Sequence, residues 1–188
     1  LPKTINNPAY HNANASISLD QKRLYFSRCD EKNVCAIYVS YFEKNAWQNP
    51  ILLEAPINLE GSSTTQAQIV KIKGKEYLFF TSNREGGKGG FDIWYSQVSD
   101  EGKSYAAPKN AGKKVNSPDQ EITPFYNTFD GCLYFSSNWH AGFGGFDVFK
   151  SCGDLKSLGV PENAGIPINS PANDLYMTFS KKNEGFIS

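Results

Sequence analysis

Short runs in which apolar and polar side chains alternate, each closed by a Gly, Asn or Asp turn, recur along this chain. A period of two is that of a strand with one buried face. A second kind of run is continuously apolar, mostly aromatic, and leads into a hydroxyl residue: Leu24-Tyr25-Phe26-Ser27-Arg28, Leu78-Phe79-Phe80-Thr81-Ser82, Leu133-Tyr134-Phe135-Ser136-Ser137 and Gly185-Phe186-Ile187-Ser188. Phe26, Phe80, Phe135 and Ile187 follow one another at spacings of 54, 55 and 52 residues. A second landmark precedes it, as Ile5-Asn6-Asn7-Pro8, Val115-Asn116-Ser117-Pro118 and Ile168-Asn169-Ser170-Pro171, with only Ile57-Asn58 in the second unit. Turns at Asp20-Gln21, Lys73-Gly74 and Asp130-Gly131 separate a first strand, such as Glu121 to Tyr126, from the aromatic one. A Gly-rich hairpin then leads to Phe91-Asp92-Ile93-Trp94-Tyr95 or Phe146-Asp147-Val148-Phe149-Lys150. A weaker fourth strand falls near Ile51-Leu52-Leu53, Lys109-Asn110-Ala111 and Glu162-Asn163-Ala164.

Four strands per roughly fifty residues, copied along the chain, is the blade of a β-propeller. The pattern therefore predicts an all-β fold of four-stranded antiparallel blades in a single domain, 1–188. The blade units run over about 5–57, 58–114, 115–167 and a partial 168–188. Propellers usually close with about four to eight blades, so the expectation is a part of a larger ring.

Composition narrows the function classes. Nineteen basic and nineteen acidic residues leave no net charge, which excludes the basic footprint of a nucleic-acid binder or a polybasic membrane clamp. No apolar run reaches the roughly 20 residues of a membrane helix. Leu1-Pro2-Lys3 has no hydrophobic stretch behind it, so no signal peptide is expected in this sequence. Cys29 and Cys35 straddle a polar turn, and Cys132 and Cys152 bracket the second Gly-rich hairpin. Antiparallel pairing brings each couple together, which allows two hairpin disulfides. The alternative is that Cys132 is a small buried hydrophobe and the others are free thiols. Without a C-x-x-C, and with His11 and His140 far apart, a zinc site is disfavoured.

The run Ile17 to Ser27 resembles the repeat of TolB-type, WD-like propellers. The fuller pattern of Val115 to Glu121, Asp130-Gly131, Leu133 to Ser137 and Gly144 to Val148 is similar to the propeller segment of Bacteroidota OmpA-family, PorE-like envelope proteins. The first unit departs from it, since Arg28 to Val34 replaces the Gly-rich hairpin. The resemblance implies an outer-membrane-associated periplasmic setting and a non-enzymatic scaffold for cell-envelope proteins of a type IX secretion or gliding complex. Peptidoglycan would be reached only through a module absent here, and neither nucleic acid nor membrane insertion is implied.

The candidate sites are weighed against the repeat. Asp92 and Asp147, after Gly90-Phe91 and Gly145-Phe146, are expected to cap their hairpins by accepting backbone N–H bonds. Scaffold residues repeat with the scaffold, whereas catalytic ones need not. Glu121 and Asp174, each three residues after a proline, are expected to satisfy backbone groups between blades. The loop from Gly86 to Gly90 lacks Walker spacing, so a hairpin that needs positive φ explains it. Both histidines are expected at the surface. Arg84, Lys88, Trp139 and Phe143 lie in hairpin tips and are the candidate partner-binding residues, against a reading in which Phe143 folds back on its own blade. No cofactor is expected. The rival function is a carbohydrate-binding or glycoside-hydrolase-like propeller in which Glu121, Asp147 and Asp174 converge on a channel. A structural Ca²⁺ held by the blade turns is a third reading.

Overall fold

A computed structural model describes residues 1–182 and 184–188. The chain is an all-β propeller built of four-stranded antiparallel blades. The first sheet holds β1 (His11–Ile17), β2 (Arg23–Cys29), β3 (Cys35–Glu43), β4 (Ala46–Trp47) and β5 (Ile51–Leu52). The second holds β6 (Thr64–Ile72), β7 (Lys75–Ser82), β8 (Asp92–Ser99), β9 (Ser104–Tyr105) and β10 (Lys109–Asn110). The third holds β11 (Glu121–Asn127), β12 (Cys132–Ser137), β13 (Asp147–Asp154), β14 (Ser157–Leu158) and β15 (Glu162–Asn163). A fourth begins with β16 (Thr178–Lys181) and β17 (Glu184–Phe186).

In each complete sheet the fourth position is split into two short pieces that pair with opposite ends of the third strand. On β3, Phe42 pairs with Trp47 of β4, and Tyr38 with Leu52 of β5. On β13, Gly153 pairs with Leu158 of β14, and Phe149 with Asn163 of β15. The aromatic second strands are covered on both faces, and Tyr25, Phe26, Phe79, Phe80, Leu133 and Phe135 are all buried. That is why they read as continuous apolar runs rather than as an alternation.

The described residues fall into two compact units, 1–84 with 95–109 and 85–94 with 110–188. Within each unit a buried asparagine ties a repeat to the one before it. Asn58 accepts from the Ile37 N–H and donates to the Ile37 carbonyl; Asn116 does the same to Ile93, and Asn169 to Val148. A side-chain amide carries one donor and one acceptor face, so it mimics a strand neighbour for a single residue. Asn6, at the head of the first repeat, is exposed. The serine that ends the aromatic strand has a similar task. Ser27 accepts from the Gln66 N–H at 2.9 Å, and Ser136 donates to the Asp174 carbonyl at 2.9 Å.

One recurring feature has no counterpart in the sequence pattern. The register slips between Ala13 and Ser16, between Thr65 and Gln68, and between Ile122 and Phe125. At each slip one residue adopts the left-handed region: Asn14 (φ 54°), Gln66 (φ 55°) and Thr123 (φ 55°), with Tyr176 (φ 57°) in the fourth repeat. The first strands of the three complete sheets thus carry a β-bulge at one equivalent point, and Tyr176 repeats the conformation just ahead of β16.

Candidate functional site

The repeated acids cap their own turns, and in Asp92 and Asp147 only Oδ2 does so, while Oδ1 is buried without a hydrogen-bond partner among the described residues. Asp92 accepts from the Lys88 N–H and, at 3.1 Å, from the Asn110 amide. Asp147 accepts from the Phe143 and Gly144 N–H groups at 3.0 and 2.9 Å. Glu121, fully buried, takes the Ser117 N–H at 2.7 Å and the Ser117 and Ser137 hydroxyls at 2.5 and 2.8 Å. Burial pushes its carboxyl above the ordinary value, against the pull of those donors. Asp174 receives the Ser170 N–H at 2.7 Å and its hydroxyl at 3.1 Å. These are turn-capping carboxylates, each held within four residues of its main-chain donor. Among the described residues no three His, Cys, Asp or Glu side chains cluster as a metal would need.

The glycines beside them differ from expectation in their reason. Of the Gly86–Gly90 loop only Gly86 has positive φ (84°). Gly89 is glycine because a Cβ there would strike the Asp119 carbonyl, and Gly144 because one would strike the Ala172 carbonyl. Gly90 and Gly145 donate their N–H groups to those same carbonyls, at 2.7 and 3.3 Å. Close backbone approach, not left-handed geometry, fixes this motif.

The four hairpin-tip residues part company. Arg84 is buried, 6% exposed, and its guanidinium donates to the Pro56 and Ile57 carbonyls while lying 4.8 Å over the Phe80 ring. It is an internal clasp and not a surface anchor, so its assignment to partner binding is corrected. Burial lowers its pKa to about 10. Arg28 in the first repeat and His140 in the third make the equivalent bond, to the Ile5 carbonyl at 3.2 Å and the Val115 carbonyl at 3.1 Å. His140 is therefore half-buried, with its ring against Phe135 and Phe149, rather than a surface histidine. Lys88 is exposed, as are Trp139 (56%) and Phe143 (53%). Phe143 does not fold back on its blade.

Both cysteine couples are disulfides, Cys29–Cys35 and Cys132–Cys152, and each joins residues directly opposite in the ladder. The first staples the short turn that stands where the other repeats carry a Gly-rich hairpin.

A cleft not anticipated from the sequence lies in the first unit. The turns that follow β1, β6 and β8 enclose about 510 Å³, lined by Asp20, Arg23, Lys71, Lys75, Glu76 and Glu101 among others. At its floor Arg23, 3% exposed, forms a forked pair with Glu76 at 2.8 and 2.9 Å. The same Nη2 reaches Asp20 at 3.3 Å, so one guanidinium nitrogen holds two carboxylates. Burial opposes the charge on Arg23, but its bonds to Glu76 and the neighbouring acids outweigh that, and its pKa is raised. Burial alone would raise Asp20; the Ser18 hydroxyl, the Lys22 N–H and Arg23 reverse the sign and hold it below the ordinary value. Gly102 (φ 88°) presses on the stem of Arg23, and its carbonyl is fixed by the Tyr105 and Tyr41 hydroxyls at 2.7 and 3.1 Å. A signal existed in the sequence: Arg23 and Glu76 stand near the starts of successive aromatic strands and are opposite in charge.

No family model matches the chain, and no curated relative does. Solved structures do. A thermostable family-43 glycoside hydrolase is similar with a TM-score of 0.55 at 17% identity, over 82% of this chain and 56% of that one. A family 117 glycoside hydrolase from the marine bacterium Zobellia galactanivorans follows at 0.52 and 14%, over 89% and 58%. An α-L-arabinofuranosidase from Lactobacillus brevis gives 0.54 and 13%, over 90% and 57%. The chain spans less than two thirds of each of them, and at such identities the likeness shows the fold. These three are glycoside hydrolases, not TolB-type or PorE-like proteins. The TolB-type assignment therefore does not stand, nor do the OmpA-family and type IX secretion context and the non-enzymatic scaffold drawn from it.

Proposed function

We propose that this propeller is carbohydrate-active, binding a saccharide for cleavage in the manner of glycoside hydrolases. The observation that carries the reading is the fold likeness: glycoside hydrolases align with 82 to 90% of this chain. Two disulfides suit folding in an oxidising compartment, where extracellular polysaccharide is met. Glycoside cleavage needs two carboxyl groups flanking the scissile bond, about 5–9.5 Å apart. Glu121, Asp147 and Asp174 are poor candidates for that pair, because each caps its own turn and recurs with the scaffold. Acids that do not recur with the scaffold are the better source.

The test exposes the chain to a panel of neutral oligosaccharides, arabinotriose included, and to p-nitrophenyl α-L-arabinofuranoside. Calorimetry reads binding, and absorbance reads nitrophenolate release. Saturable binding or turnover of any member supports the proposal. A panel that yields neither overturns it.

A further inference from the structure

We infer that the cleft between the turns after β1, β6 and β8 is the saccharide site, and that it selects a neutral, hydroxyl-rich ligand over a charged one. This inference rests on the carbohydrate reading above and gives it a place and a specificity.

The lining carries three carboxylates, Asp20, Glu76 and Glu101, and three cations, Arg23, Lys71 and Lys75. Acceptors and donors are thus interleaved without a net charge. An anionic or cationic ligand gains attraction from one set and meets repulsion from the other. A polyol avoids that conflict, since each hydroxyl donates to a carboxylate and accepts from the Lys71 or Lys75 ammonium group. The volume of about 510 Å³ lies within the range of about 300–1,000 Å³ usual for small-molecule sites. Leu19, 75% exposed, and Val98 add apolar surface to the same wall, suited to the C–H face of a sugar ring.

The floor is already organised. Arg23 is fixed by Glu76 and Asp20, and Asp20 is fixed in turn by Ser18 at 2.5 Å and the Lys22 N–H at 3.1 Å. A site whose polar groups are held in place before binding avoids ordering them at the moment of binding. The rim, by contrast, is supplied by exposed Lys75 and Glu101. Glu101 stands in a turn of consecutive left-handed residues, Asp100 (φ 49°), Glu101 (φ 54°) and Gly102 (φ 88°), anchored through the tyrosine bonds to the Gly102 carbonyl.

The experiment titrates the isotope-labelled full chain with arabinotriose and, separately, with trigalacturonate of the same length, following backbone amide shifts. Arabinotriose is expected to move Asp20, Lys71, Glu76 and Gln97 and to bind at least tenfold more tightly than trigalacturonate. K75A and E101A, both exposed and outside the core, are expected to weaken it about tenfold each. Arabinotriose binding with shifts elsewhere, untouched by K75A and E101A, overturns the site and leaves the carbohydrate reading standing. Equal or tighter binding of trigalacturonate overturns the selectivity. No binding here or across the neutral panel overturns both.

Discussion

Replacing Asn116 by alanine tests the device that joins the repeats. Asn116 is 2% exposed and holds Ile93, itself fully buried, through bonds of 2.9 Å to its N–H and 2.9 Å from its amide to the Ile93 carbonyl. The two backbone groups do not suffer equally. The Ile93 carbonyl also accepts from the Ala111 N–H at 3.0 Å and keeps that partner, whereas the Ile93 N–H is left with none. The amide bond to Asn110 at 2.8 Å is lost as well. One orphaned buried donor costs about 1–3 kcal/mol, and a neutral hydrogen bond adds about 1 kcal/mol net. The expected loss is therefore about 3 kcal/mol, near the top of the ordinary range for point mutants. With a urea m-value of about 2 kcal/mol/M the midpoint shifts down by about 1.5 M. The assay is urea unfolding followed by tryptophan fluorescence, with m required to stay constant. Asn6→Ala is the control, since the same residue in the same motif is exposed and its loss stays within about 0.5 kcal/mol. Equal midpoints for the two variants would show that the asparagine is decoration and not a clip.

Three further outcomes follow from the same structure. Opening Cys132–Cys152, which closes a separation of 20 residues, costs about 3 kcal/mol by loop entropy, and opening Cys29–Cys35, at 6 residues, about 2 kcal/mol; serine double variants compared by thermal unfolding would reject this if the order reversed. Arg84→Lys is expected to destabilise the protein nearly as much as Arg84→Ala, because one ammonium cannot serve the Pro56 and Ile57 carbonyls in the fork geometry; a lysine variant with wild-type melting refutes the clasp. Glu121 is expected to titrate above the ordinary glutamate value, since burial disfavours its charge. The folded state then keeps the proton after the unfolded chain has released it, so this group contributes stability below the unfolded pKa and loses it as pH rises through the folded one. A carbon-detected NMR midpoint at or below the ordinary value contradicts the burial argument.

How much of this was legible depends on whether a task leaves a mark on side-chain type. Strands and turns did, because period-two alternation and Asp130-Gly131 are direct consequences of a pleated sheet and a tight hairpin. The asparagine clips were visible as a recurring landmark, yet their partners Ile37, Ile93 and Val148 were not, since backbone groups have no sequence signature. The bulges were invisible: Asn14, Gln66 and Thr123 share a left-handed backbone and no chemistry, and a β-branched threonine there runs against local preference. Arg84 misled for a related reason. Its place in a hairpin tip suggested solvent, and only the fold shows the chain turning it back onto two carbonyls.

The resemblance to TolB-type repeats failed in an instructive way. The residues that carried it were the aromatic strand, the Asp-Gly turn and the Gly-Gly-Phe-Asp hairpin, and every one of them serves the blade. Ser136 reaches the next repeat, Asp147 caps its own hairpin, and Gly144 lets one main chain press on another. Such residues specify how a propeller is assembled and are silent on what it does, because one scaffold hosts unrelated chemistries. Function has to be sought where the repeat is broken. Positions 12, 64, 121 and 174 make the point: the last two hold capping acids, while the same place is a threonine at Thr64 and an asparagine at Asn12, whose amide donates to the Asn7 carbonyl. Arg23 and Glu76 stand near the starts of successive aromatic strands with opposite charges and pair at the floor of the cleft. An unrepeated, preorganised pair of charges facing an open space has no structural copy to explain it, and that is the ground for looking there first.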